Sequence, residues 1–157
     1  MSMPSDTTAI TTEYKSFEQL STQELYDIMA LRQVVFVIEQ SCIYLDADGK
    51  DQKAHHLTMR MADGQLVGYT RLLPEGIPYE GHASIGRVIT SKMVRGKGLG
   101  RELMRQSIEA ARSLYPGMPL KISAQVYLIK FYESFGFQTV GDVYDEDGLP
   151  HIAMRLT

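Results

Sequence analysis

The 157-residue chain has a single cysteine, no tryptophan and only six prolines. With Cys42 alone, an intramolecular disulfide is impossible, and so is a metal site built from several cysteines. No apolar run approaches the roughly 20 residues of a membrane-spanning helix. The polar opening stretch Met1–Thr12 lacks the apolar segment of a secretory signal. Positive charge is scarce too: 16 Lys and Arg against 19 Asp and Glu leave a net charge of −3. A general basic footprint for nucleic acid is therefore missing, and any anion site must be local. The expectation is one soluble cytoplasmic domain over residues 1–157, with no nucleic-acid or membrane partner.

What is present is a succession of short periodic segments. The Ser/Thr-rich first twelve residues are expected to be loosely held, and no repeat or linker divides the rest. Tyr14–Phe17 reads as a short strand. Ser21-Thr22-Gln23-Glu24 reads as a capping box, because a cap hydroxyl and a glutamate can satisfy the free amides of a helix start. Leu25, Ile28, Met29 and Leu31 continue that helix, and we extend it through most of Val34–Ile38 although β-branched residues favour strand. Ser41–Lys53 reads as a solvated loop. Strands are expected at His55–Arg60 and Leu66–Leu73, joined at Asp63-Gly64, and a third at Ser84–Thr90 after the loop Pro74–Gly81.

A helix follows with Leu99, Leu103, Met104, Ile108, Ala111 and Leu114 on one face, stopped by Pro116-Gly117. Leu120–Gln125 is a further strand. Leu128, Phe131, Tyr132 and Phe135 line one face of a short helix that Gly136 ends. Phe137–Tyr144 and Pro150–Leu156 form a last strand pair around Asp147-Gly148. Hairpins beside a strand–turn–helix–strand unit define an α/β (α+β) class with a mixed sheet.

The chemistry concentrates in Arg95-Gly96-Lys97-Gly98-Leu99-Gly100-Arg101, between a strand and an amphipathic helix. Glycines let backbone amides approach a ligand, the helix start adds partial positive charge, and three cationic side chains complete a cradle for phosphate or pyrophosphate. An ATP/GTP loop is excluded, since Gly98 follows Lys97 where Ser or Thr is required and Ser91 replaces the first glycine. A dinucleotide fingerprint fits poorly, because Arg101 stands in place of its last glycine. The plain alternative is a basic connection that merely starts a helix.

Arg95, Gly98 and Gly100 match the pattern Arg/Gln-x-x-Gly-x-Gly/Ala, with a strand before it and Phe131-Tyr132-Glu133-Ser134-Phe135-Gly136-Phe137 later on. In these features the chain resembles the GNAT superfamily of N-acetyltransferases. Leu31-Arg32, Val35-Phe36-Val37, Glu39-Gln40 and Glu146-Asp147-Gly148-Leu149-Pro150-His151 resemble its ElaA-type branch, so the likeness spans about residues 14–156.

The resemblance implies a mixed, mostly antiparallel central sheet flanked by helices, and direct transfer of acetyl from acetyl-CoA to a small-molecule or peptide amine without a metal. It places the pantetheine arm on Val88, Ile89 and Thr90, and the pyrophosphate on Arg95, Gly96, Lys97, Gly98, Leu99, Gly100 and Arg101. Gln125 occupies the position where many relatives carry an asparagine against the cofactor arm. Tyr132 matches the acid that serves the departing thiolate, though its spacing alone would make it a core aromatic. An amine with a pKa near the lysine value of about 10.4 must lose a proton before attack. Candidates for the base are His151, Glu146, Asp142 and Glu39, and a water-mediated route stays open.

Dimers are common in the superfamily, which admits a homodimer here. A second reading keeps the turn but makes the chain a non-catalytic acyl-CoA sensor; Tyr132 favours the enzyme. The acidic stretches 46–51 and 145–147 are expected to favour a cationic acceptor. Asp46–Asp51 lacks the glycine and glutamate placement of a calcium loop, and His55 and His56 on a strand face opposite ways.

Overall fold

The computed structural model describes residues 9–157. They build a seven-stranded sheet in the order β1-β2-β3-β4-β5-β7-β6. The strands are β1 (Ile10–Ser16), β2 (His55–Met61), β3 (Leu66–Leu73), β4 (Ala83–Thr90), β5 (Leu120–Gln125), β6 (Gln138–Glu146) and β7 (Leu149–Leu156). Every neighbouring pair is antiparallel except β4 with β5. Ile10–Thr12, expected to be loose, are instead paired with Met61–Met59 of β2; residues 1–8 lie outside the described residues.

Helix α1 (Thr22–Arg32) starts at the expected capping box: Ser21 Oγ accepts from the Glu24 amide at 3.0 Å, and Glu24 Oε1 accepts from the Ser21 amide at 2.8 Å. The Val34–Ile38 run continues it, but as a π-helix over Gln33–Glu39. The wider turn is visible in the Gln40 amide, which reaches back five residues to the Val35 carbonyl. Helix α2 (Leu99–Leu114) buries Leu103, Met104, Ala110 and Ala111 against one face of the sheet. Ile28 of α1 and Val35 of the π-turn pack with Leu66, Tyr69 and Ile89 in a second cluster. Covered by both, β3 is buried at all its positions. The short helix α3 covers only Ile129–Glu133, behind a 3₁₀ turn at Val126–Leu128, and Gly136 with φ +99° follows it.

Two irregularities position the site. In β4, Arg87 and Val88 together face the single residue Thr70 of β3, a bulge in which Arg87 adopts φ +50°. Ahead of it, β4 and β5 pair only at Ala83–Leu120 and Ser84–Lys121. From Ile85 onward the strands part, and their facing backbone groups lack the partners a regular ladder would supply.

Candidate functional site

A cavity of about 330 Å³ occupies the mouth of this fork. Ile85, Gly86, Arg87 and Val88 of β4 form one wall and Ser123 and Gln125 of β5 the other, with Tyr132 from α3 and Glu146 and His151 from the last hairpin completing it. Sequence-expected Val88, Gln125, Tyr132, Glu146 and His151 are thus brought together. Two proposed bases are not. Glu39 ends the π-helix turned away, its Oε1 2.6 Å from Arg95 Nη2, and Asp142 sits exposed in the bulged part of edge strand β6. Neither lines the cavity.

Tyr132 is 6% exposed, its ring edge-on to Phe131 and Phe137. Burial, with a smaller contribution from Tyr127, pushes its phenol up to about 12. The hydroxyl therefore keeps its proton at neutral pH and can only donate to a developing anion. His151 places Nδ1 2.8 Å from the Leu149 carbonyl. A carbonyl only accepts, so Nδ1 carries the hydrogen and Nε2 holds the free lone pair of the neutral ring. That Nε2 lies 3.6 Å from Glu146 Oε2.

At the far end of β4 the chain enters the glycine turn. Gly98 caps α2 with φ +78°, and Gly96 has φ +82°. A Cβ built on Gly96, Gly98 or Gly100 meets no atom within 4 Å. The turn therefore offers open space at the amino end of a 16-residue helix, where amides and dipole favour an anion. Val88 and Thr90 are half-buried along the fork, whereas the Ile89 side chain is in the core, so Ile89 can serve a ligand through its backbone only. Two of the expected cationic side chains are already engaged. Arg95 donates Nε and Nη2 to the Thr90 carbonyl and pairs with Glu39. Arg101 donates to Ser134 Oγ and stacks over Phe135, tying α2 to α3. Lys97 is exposed and makes no ion pair among the described residues.

The stretch 46–51, expected as a solvated acidic loop, is the largest correction. Asp46 and Asp51 are buried. Arg32, fully buried, donates to Asp46 Oδ2 at 2.7 Å and Asp51 Oδ1 at 2.6 Å. Arg71 bonds Asp48 and Asp51, and Arg87 bonds Asp46 and Asp48. Burial alone would raise the Asp48 and Asp51 carboxyls, but hydrogen bonds and charge from the arginines outweigh it and hold both below the ordinary range. Three guanidinium groups neutralise three carboxylates, so this wall cannot supply the free negative charge expected to select a cationic acceptor. His56 is locked beneath the same cluster, Nε2 donating to the Asp51 carbonyl and Nδ1 accepting from Tyr69. No cluster of metal-ligating side chains is found among the described residues, and no helix there is long and apolar enough to cross a membrane.

A forked β4–β5 pair, a glycine turn capping the following helix and a tyrosine at the fork define an acyl-CoA N-acyltransferase architecture. Residues 18–157 match the model of the acetyltransferase (GNAT) domain, and the chain belongs to that family. Within it the chain falls in the ElaA-type branch. Protein ElaA of Escherichia coli is 42% identical over 139 residues, covering 87% of this chain and 89% of ElaA. Its crystal structure superposes with a TM-score of 0.88, covering 95% of this chain and all of that one. An acyl-CoA N-acyltransferase from Pseudomonas aeruginosa gives a TM-score of 0.90 at 42% identity over the same shares. A UPF0039 protein of Synechocystis is 46% identical over 141 residues, 90% of this chain and 91% of the relative. Family membership carries the general activity, acyl transfer with acyl-CoA as co-substrate.

Proposed function

We propose that the chain transfers an acetyl group from acetyl-CoA to an amine on a small molecule or peptide, by direct attack within a ternary complex. The observation that carries this reading is the fork: unpaired β4 backbone leads from the open glycine turn to a cavity holding both Tyr132 and His151. The backbone of Val88, Ile89 and Thr90 is suited to the pantetheine arm, the amides of Gly96–Arg101 to the pyrophosphate, and Gln125 to the arm's end. Acetyl-CoA would supply the activated acyl group there. In this reading His151 Nε2 takes the proton the acceptor ammonium must lose, Glu146 faces the imidazolium so formed, and the Tyr132 hydroxyl donates toward the departing sulfur. The single free thiol of Cys42 at the cavity rim suits a reducing cytoplasm.

Free-thiol release with acetyl-CoA across polyamines, aminoglycosides, amino acids and peptides tests the activity. Tyr132→Phe keeps the buried ring and removes only the donor. Single-turnover acetyl transfer should fall by the lower part of the usual ~10²–10⁴-fold range while acetyl-CoA affinity is retained. Wild-type single-turnover rates in that variant would reduce Tyr132 to a core aromatic.

A further inference from the structure

One face of the last three strands carries an ordered chain of polar side chains. Cross-strand pairing sets Gln125 opposite His151 and His151 opposite Tyr144. The two-residue period of a strand then adds Ser123 beside Gln125 and Glu146 beside Tyr144 on the same face. Ser123 Oγ donates to Glu146 Oε1 at 2.9 Å. A hydroxyl has one hydrogen, so the close contact between Ser123 Oγ and the Tyr144 hydroxyl must have Tyr144 as donor. Direction is fixed throughout: Tyr144 donates to Ser123, Ser123 donates to Glu146, and the other Glu146 oxygen faces His151 Nε2. The Tyr144 ring also lies parallel to the imidazole, with centroids 6.2 Å apart and planes 24° apart.

The position of Glu146 makes this chain consequential. Its side chain is 46% exposed and belongs to edge strand β6, so among the described residues only the Ser123 bond holds one carboxylate oxygen while the other meets His151. An exposed glutamate otherwise samples several rotamers, and its charge at the imidazole is diluted by water.

Building on the acetyl-transfer reading, we propose that Ser123 and Tyr144 are positioning residues that hold the Glu146 carboxylate at His151 and so strengthen that imidazole as the proton acceptor. As the proton leaves the acceptor's nitrogen for Nε2, the new imidazolium charge develops beside an anchored anion. Tyr79, Tyr132, Cys42, Asp147 and Lys50 also face the cavity, while Asp48 is paired with Arg71 and Arg87. None of these bonds His151.

The test pairs kinetics with a titration that needs no substrate. Ser123→Ala should move the acidic limb of the kcat/KM profile, and the NMR titration of the His151 ring in the free protein, to lower pH by up to about 0.7 unit, the worth of a charge about 4 Å away in watery surroundings. Ser123→Thr, which retains the hydroxyl, should restore both, and Tyr144→Phe should give a smaller shift the same way. Acetyl-CoA affinity should stay unchanged in all three. An unshifted His151 titration in folded Ser123→Ala, or a shift that Ser123→Thr fails to reverse, overturns the inference even if the protein acetylates amines. A shift in a protein that acetylates nothing would leave the side-chain chain standing and remove the acetyl-transfer reading.

Discussion

Removing the Asp51 carboxylate as Asp51→Asn would leave Arg32 and Arg71 sharing a buried cluster with one negative charge fewer. Asp51 is 6% exposed, Arg32 0% and Arg71 4%, and Asp51 Oδ1 accepts from both, at 2.6 and 3.0 Å. Water cannot replace what is lost. Breaking a buried ion pair from one side typically costs about 3–5 kcal/mol, a large share of the roughly 5–15 kcal/mol that holds a native protein together. In a chain of this size, that corresponds to a melting point lower by roughly 6–20 °C. Urea unfolding measures it as a lowered midpoint with the slope retained. The pair Arg32→Met with Asp51→Leu should lose less than Asp51→Asn alone, since Asp46 keeps Arg87 and no lone charge is stranded. The sign of the pH effect follows from the depressed carboxyls of Asp48 and Asp51. Their contribution is full above the unfolded value of about 3.9 and disappears as pH falls through the folded value, so acid unfolding from this source begins below about pH 4. An Asp51→Asn protein within about 0.5 kcal/mol of wild type, the range of an ordinary surface change, would show that the cluster is not the buried network described.

Gly98→Ala forces a Cβ into a backbone at φ +78°, which should cost about 1–2 kcal/mol by thermal melting. Added acetyl-CoA, expected to raise the wild-type melting point by binding the native state, should no longer do so in this variant, because the new methyl enters space left open at the turn. Burial lowers the His56 imidazole below its ordinary value, so the unfolded chain gains a proton near pH 6.5 that the fold refuses. Stability should therefore decline from about pH 6.5 downward, and the melting-point profile of His56→Gln between pH 7 and 5 should be flatter.

Much of this was legible from period and punctuation. The glycine turn, the face of α2, the capping box at Ser21 and the Asp147-Gly148 reversal, with φ +53° and +83°, are each written within a few consecutive residues. The sheet order was not, because a two-residue alternation says which face is buried and not which strand lies alongside. Pairing β7 with β5 is what brings Ser123 within reach of Tyr144 and Glu146 in the last hairpin. The aspartates of 46–51 looked solvated for the same reason, as their arginines come from positions 32, 71 and 87. A signal existed in Arg71, a charge set inside the apolar run Leu66–Leu73, which a buried strand tolerates only when the charge is paired.

The buried cluster and the fork are parts of one device. Arg87 reaches Asp46 and Asp48 from the bulge just past the point where β4 diverges from β5, and its φ of +50° is a conformation that a non-glycine residue keeps only where its surroundings insist. Bonds from Nε and Nη2 supply that insistence, and the Arg87 guanidinium 5.8 Å above the Phe36 ring adds the π-helix to the clamp. Without these bonds the positive φ of Arg87 would lose what offsets it, and Arg87 and Val88, which line the cavity wall, would lose their anchor. The charges at 32, 46, 48, 51, 71 and 87 thus bear on the cavity by fixing the Arg87 bulge in its wall.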